Sequence, residues 1–383
     1  MKNFSYYNPV KIIFGKQTIA KLSKEIPENS KVLMIYGGGS IKKNGVYEQV
    51  TSALKEFTIL EFSGIEPNPH YETCMKAVEV IRKENINFLL AVGGGSVLDA
   101  TKFISAATYF EGDAWDITSK KASISKAIPL GAVLTLPATG SEMNCNGVIT
   151  KVATQEKFSF SLPLTYPKFS ILDPETTYSL PERQVANGIV DAFVHVMEQY
   201  LTFPQDAPLQ DYFSESIVKV LVEEGSKVLT NPKDYNVRAN IMWAATMALN
   251  GLIAKGVEED WATHSIGHEL TAFYGIDHGQ TLAIVLPGTM SVLKKEKEAK
   301  IIQLGEQVFG IGQGTNDEKV FKTIDAVDNF FRSLGMKTKL SEYGLEKKDL
   351  EPIVKRFYER QWKLGENAIA TPEKIEVILN ERL

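Results

Sequence analysis

The sequence predicts an α/β N-terminal domain, doubly wound about a mostly parallel sheet, followed by an all-α C-terminal domain. Three observations predict it. Short apolar runs ending in glycine alternate with helical spacing through the first half, and strand signals almost vanish after Asp173-Pro174. The length of 383 residues also exceeds the usual size of one compact core.

Lys31–Tyr36 (KVLMIY) is apolar and runs into glycines, as a buried parallel strand does. Helical spacing over 47–57 leads to a strand-like run at Thr58–Phe62, then to helical spacing over Tyr71–Glu84. Residues 88–92 (FLLAV) form another buried strand stopped by glycines, 97–107 a helix and 131–136 a strand. The stretch 173–181 (DPETTYSLP), with two prolines about a polar centre, reads as the hinge. Long helical patterns follow over 182–201, 212–229, 237–252 and 261–273. The expected domains are therefore 1–178 and 179–383. The charged stretch 296–300 marks a solvated helix face.

Composition narrows the function. Hydrophobic residues make up 44% and charged residues 23%, the balance of a globular chain, and 42 Lys plus Arg against 47 Asp plus Glu leave a charge of −5. That mild acidity argues against nucleic acid as a partner. There is no apolar run long enough to span a bilayer and no signal-peptide core, so no membrane partner is expected. Cys74 and Cys145 form neither a disulfide framework nor a CxxC pair, and a cytoplasmic location is expected.

Two glycine loops follow strands: Gly37-Gly38-Gly39-Ser40 and Gly93-Gly94-Gly95-Ser96. Glycine lets the backbone turn sharply and present N–H groups to phosphate oxygens, and a helix starting near Ser96 would aim its positive end at the same anion. Asp99 lies one turn into that helix. Glycines also commonly end strands in α/β proteins, and neither loop matches GxGxxG. Two such loops together point to a dinucleotide. No carboxylate follows Tyr36, whereas Ser40, Lys42 and Lys43 do, an arrangement that tolerates a 2′-phosphate. Either lysine alone reads equally as a surface residue.

Four of the five histidines lie in the helical half. Asp191 and His195 are spaced i, i+4 on one helix, His264 and His268 repeat that spacing on another, and His278 opens a third. One carboxylate with three imidazoles makes a four-ligand set for Fe²⁺ or Zn²⁺, leaving a fourth histidine for proton traffic or substrate. Ser265 stands where HExxH needs its glutamate, so the zinc-protease pattern fails. Likewise 139–142 is not a GxSxG elbow, Cys145 has no adjacent base, and His70 sits in a proline-flanked loop. Phe193, Trp261 and Phe273 near the candidate ligands suggest an apolar pocket, and each reads equally as core.

Pro67-Asn68-Pro69, 93–99 (GGGSVLD), 135–142 (TLPATGSE), 191–195 (DAFVH) and 275–287 (GIDHGQTLAIVLP), in this order, resemble the iron-containing (group III) alcohol dehydrogenase family over nearly the whole chain. Tyr36–Ser40 and 184–195 are most similar to its NADPH-dependent butanol dehydrogenase and aldehyde reductase branch. The resemblance implies a dehydroquinate synthase-like two-domain architecture and metal-dependent hydride transfer between NADP(H) and a short-chain aldehyde or primary alcohol. It implies that Asp191, His195, His264 and His278 hold the metal, with His268 close to substrate. Gly37, Gly38, Gly39 and Ser40 would lie near the adenosine ribose, and Gly94, Gly95, Ser96 and Asp99 near the pyrophosphate and nicotinamide. Thr135, Thr139, Asn144 and Lys157 would also contact cofactor, and a homodimer is expected. The rival is a metal- and NAD-dependent lyase or cyclase resembling dehydroquinate synthase, which needs Lys and Arg for substrate anions. The segments 191–195 and 264–278 contain neither. A non-enzymatic metal-binding module would not need the glycine loops.

Overall fold

A computed structural model describes residues 1–383. The chain runs β1 (Lys11–Phe14), β2 (Lys31–Tyr36), α1 (Val46–Ala53), β3 (Thr58–Phe62), α2 (Tyr71–Glu84), β4 (Phe88–Gly94), α3 (Gly95–Ala107) and the short α4 (Asp116–Ser119). It continues with β5 (Leu130–Leu136), β6 (Asn146–Lys151), β7 (Glu156–Ser161) and β8 (Phe169–Leu172). Helices then follow without further strands: α5 (Glu182–Tyr200), α6 (Pro208–Thr230), α7 (Tyr235–Ala248), α8 (Ala262–Tyr274), α9 (His278–Val292), α10 (Lys294–Phe309), α11 (Asn316–Ser333), α12 (Lys347–Arg360) and α13 (Pro372–Glu381). No helix is long and apolar enough to cross a membrane.

The main sheet has the order β1-β8-β5-β4-β2-β3, with every pairing parallel. Its central strands are apolar on both faces because both faces are covered. Leu33, Ile35, Leu89, Ala91 and Ala132 pack with α2 and α3, whereas Val32, Met34, Leu90, Val92 and Val133 pack with α1 and the segment before β2. The α/β expectation for the first half is met, and doubly wound describes it. Sequence patterning missed β1, β8 and the antiparallel β6–β7 ribbon. α3 lies against both β4 and that ribbon, so nearly every residue on it is buried.

The chain forms two compact units, neither of them contiguous. One comprises Tyr7–Pro181 with Pro232–Thr246, the other Met1–Tyr6, Glu182–Asn231 and Met247–Leu383. In the sheet unit α7 returns to the strands: Met242 packs on Leu134 and Leu172, and the Thr246 hydroxyl donates to Glu142 Oε1 at 2.5 Å. In the helical unit α5 is buried almost all round, and Ile266, Leu270, Ile284, Val285, Ile353 and Ile375 share one apolar cluster from α8, α9, α12 and α13.

Two consequences of this packing are measurable. A Cβ built on Gly131 would lie 2.4 Å from the Phe169 ring, which stacks on Phe88 at 6.2 Å between centroids. Gly131→Ala should therefore lose about 1–3 kcal/mol by chemical denaturation through overpacking alone; an unchanged midpoint would show that the ring can move aside. Glu142 is buried, and burial pushes its carboxyl above the usual range despite the Thr246 bond and the nearby Lys102. The folded chain thus keeps a proton that the unfolded chain releases above about pH 4.3, so this group's contribution is full at low pH and lost as pH rises. Glu142→Gln should be at least as stable as wild type at pH 7, with the difference closing in acid. A variant clearly less stable at pH 7 would mean that the ionised carboxylate is the native form.

Candidate active site

In the sheet unit, the first group of candidate residues lies at the C-terminal ends of β2 and β4. After β2, Gly37 lies with its missing Cβ 3.3 Å from the Ile65 carbonyl, and Gly39 takes φ +90° before Ser40 opens a single helical turn. At the end of β4 the register slips between Gly93 and Gly94 as the chain turns directly into α3. A Cβ on Gly94 would meet Leu136 at 2.9 Å and one on Gly95 would meet the Thr139 hydroxyl at 2.6 Å. These two positions are glycine because neighbouring chain comes too close for a side chain.

The other expected cofactor residues gather near that turn. Asn68 accepts from Lys157 Nζ at 2.9 Å, and its backbone N–H donates to Ser96 Oγ at 3.3 Å, which joins the PNP segment, the ribbon and the second glycine loop. Asp99, buried on α3, accepts from the Ser141 hydroxyl at 2.7 Å and from the Val148 N–H at 3.0 Å. Asn144 donates to the Gly140 carbonyl at 2.8 Å. Thr135 lies buried near the end of β5.

Sequence reasoning missed what holds this group together, the fully buried Lys102. Its three N–H groups reach Ser141 Oγ, Asn144 Oδ1 and the Asn146 carbonyl at 2.7–2.9 Å. Burial pulls its pKa down to about 8, with Asp99 acting in the opposite sense. A lysine three residues after Asp99, inside an otherwise apolar helical run, was the available signal.

The absence of a carboxylate beside the first glycine loop holds along the chain but not in space. Glu61, on the neighbouring strand β3, accepts from Tyr36 at 2.6 Å, Tyr47 at 2.5 Å and Lys42 at 3.2 Å. Parallel pairing of β2 with β3 places it there, a proximity that spacing in sequence cannot reveal. Its charge is met by one ammonium and two phenols, so Lys42 has a partner of its own.

The helical unit holds the second group of candidate residues. Asp191 and His195 lie one turn apart on α5, His264 and His268 one turn apart on α8, and His278 is the first residue of α9. Asp191 Oδ1 stands 3.6 Å from His195 Nδ1, 3.8 Å from His264 Nε2 and 3.5 Å from His278 Nε2. Those distances are long for hydrogen bonds, whereas ligand atoms about 2.1 Å from a tetrahedral ion lie about 3.4 Å apart. The ligand atoms of Asp191, His195 and His264 all fall within 4.8 Å of one another. His195 Nδ1 and His264 Nε2 are buried without a hydrogen-bond partner, as lone pairs kept for a cation would be. Burial holds His195 down to about 4, so its ring is neutral and able to ligate. Burial also opposes charge on His264, but the flanking carboxylates of Asp191 and Glu198 outweigh it and raise the pKa.

Local sequence sets this geometry. Arg183 and Asn187 on α5 donate to Asp277 Oδ2 at 2.5–2.8 Å, which anchors the residue before His278. Gly279 follows because a Cβ there would sit 2.6 Å from the Asn187 carbonyl. Asp260 accepts the Ala262 N–H at 2.9 Å at the start of α8 and is held at 2.8 Å by Lys297, which with Lys300 is buried and ion-paired rather than on the solvated face expected of 296–300. The His268 ring lies 5.3 Å from that of His278 and 6.4 Å from that of His264, beside the cluster. Of the three aromatics expected to form a pocket, only Trp261 borders the histidines, at 5.2 Å from the His264 ring. Phe193 instead packs on Phe330 and Phe331, and the Arg356 guanidinium lies over Phe273.

Residues 9–174 match the iron-containing alcohol dehydrogenase family and residues 185–383 match its C-terminal family. The NADPH-dependent aldehyde reductase YqhD of Escherichia coli K12 is 53% identical, with 96% of each chain aligned, and its crystal structure superposes with a TM-score of 0.98 over 100% of this chain and 99% of that one. NADP-dependent alcohol dehydrogenase 3 of Entamoeba histolytica is 46% identical over 93% of each chain. The NADH-dependent butanol dehydrogenase A of Thermotoga maritima superposes with a TM-score of 0.95 at 38% identity, covering 100% of this chain and 99% of its own. With both family matches in register and such identity sustained from end to end, the chain belongs to the iron-containing alcohol dehydrogenase family.

Proposed function

We propose that the chain is a metal-dependent NADP(H) oxidoreductase that interconverts short-chain aldehydes and primary alcohols. One observation carries the proposal: three imidazole nitrogens surround one buried Asp191 oxygen at 3.5–3.8 Å, and two of those nitrogens lack any other partner. Asp191, His195, His264 and His278 are the residues that hold a divalent cation, Fe²⁺ or Zn²⁺. When bound, the ion supplies Lewis acidity to a substrate oxygen and the dihydronicotinamide supplies the hydride. His268, outside the ligand set, is the chain's own group for moving a proton at that oxygen.

In the sheet unit, Gly37–Ser40 and Gly94–Ser96 offer backbone N–H groups to phosphates, while Asp99, Thr135, Thr139, Asn144 and Lys157 complete the dinucleotide site. Preference for the 2′-phosphorylated cofactor rests on the loop after Tyr36. Glu61, the carboxylate that Tyr36 and Lys42 contact, is taken up by Lys42, Tyr36 and Tyr47. The relatives include both NADPH- and NADH-dependent enzymes, and a direct comparison of the two cofactors tests the choice. The lyase alternative is not favoured: no Lys or Arg lies in 191–195 or 264–278, and Arg183, nearby in sequence, is committed to Asp277. A cytoplasmic homodimer remains part of the proposal.

The test is oxidation of NADPH and of NADH with butanal, using metal-stripped protein and protein restored with Fe²⁺ or Zn²⁺. Turnover should require the ion and favour NADPH. Turnover favouring NADH would remove only the 2′-phosphate assignment, and its absence with every ion would remove the oxidoreductase assignment. Variants separate the histidines. Asp191→Ala and His264→Ala should lose the ion itself, as measured by elemental analysis. His268→Ala should keep it while turnover falls about 10²–10⁴-fold. Metal lost from the His268 variant, with the rate per ion retained, would reverse the roles.

A further inference from the structure

We propose that Glu198 is a positioning residue of the metal centre, holding the His264 ring so that Nε2 is the nitrogen presented to the ion. The proposal rests on the reading that Asp191, His195, His264 and His278 bind a divalent cation. It concerns a residue outside that set. Glu198 follows His195 by three residues and Asp191 by seven on α5, so all three share one face of the helix. Its side chain is 2% exposed.

A single oxygen, Glu198 Oε1, faces two groups of one residue: the His264 backbone N–H at 2.8 Å and the His264 ring Nδ1 at 3.2 Å. Oε1 already accepts that backbone N–H, and a neutral ring that donates to the same acceptor carries its proton on Nδ1 and its lone pair on Nε2. Nε2 is the nitrogen that lies 3.8 Å from Asp191 Oδ1 with no hydrogen-bond partner. The ring is thereby set in both tautomer and direction. Because the same oxygen takes the backbone N–H, that direction is referred to α8 itself rather than to side-chain packing.

Glu198 is in turn held from behind. Its carbonyl accepts the Asp260 N–H at 2.7 Å, and Asp260 Oδ2 accepts from Lys297 Nζ at 2.8 Å. A carboxylate that merely capped the backbone of α8 would need only the first of its two contacts with His264. The ring contact is what couples it to the ion.

The experiment compares wild type, Glu198→Gln and Glu198→Ala. Circular dichroism and melting of the metal-free proteins report folding, competition against a chromophoric chelator reports Zn²⁺ affinity, and the visible spectrum of the Co²⁺-loaded proteins reports the ligand field. Glu198→Ala should bind Zn²⁺ about 10–100-fold more weakly. Glu198→Gln, which keeps an acceptor for Nδ1–H but loses the charge, should fall between and shift the Co²⁺ bands. Should the alanine variant fail to fold, the glutamine variant decides alone. Wild-type Zn²⁺ affinity and an unchanged Co²⁺ spectrum in the folded variants would overturn the positioning role and leave the metal reading standing. Wild-type protein that bound neither ion would overturn the metal reading, and this proposal with it.

Discussion

A carboxylate buried among imidazoles is the constraint on which the helical unit depends. Asp191 is 3% exposed and sits in the middle of a helix that is itself surrounded. A charge taken out of water there must be met by opposite charge or by directed hydrogen bonds. His195 is held neutral by the same burial, so the helix cannot supply that charge from its own face. The surrounding sequence is consistent with keeping the place open for a cation. Asp277 is anchored so that His278 arrives at the start of α9, and Gly279 and Gly267 lack side chains where α9 approaches α5 and α8.

The sheet unit solves a related problem with the opposite sign. Lys102 is an ammonium with no access to solvent, and it is tolerated because all its N–H groups are used and Asp99 lies nearby. Its acceptors belong to residues 141–146, the segment that follows the TLPATG run. A lysine in the core thus ties the loop carrying Thr139 and Asn144 to the helix carrying Ser96 and Asp99. Each unit uses one buried charged residue to bring several polar groups to a fixed place.

Much of this was legible in the residues. Lys31–Tyr36 and Phe88–Gly94 declared themselves as strands because burial on both faces makes a continuous apolar run, and the glycines marked where they stop. The i, i+4 pairs Asp191/His195 and His264/His268 announced a shared helix face. What stayed hidden depends on contact between distant segments. β1 and β8 are four residues each, too short for periodicity to register, and Glu61 reaches Tyr36 only because strands pair. Glu198 lay on a recognised face, but nothing in its spacing says that a histidine from another helix will meet it. Phe193 and Phe273, adjacent in sequence to the ligands, turned away because a helix aims neighbouring residues in different directions.

The return of residues 232–246 to the sheet unit bears on how the molecule is made. A ribosome releases the strands first, but β1 has no neighbour until β8 follows it, since Lys11 pairs with Phe169. Even then the packing over Leu134 and Leu172 lacks Met242, and Glu142 lacks Thr246, until α7 has emerged. By that time α5 and α6, which belong to the other unit, are already outside. The apolar residues of α5 have thus left the ribosome while Leu134 and Leu172 still lack Met242. Interleaved in sequence, the two units are not completed in the order in which their segments leave the ribosome.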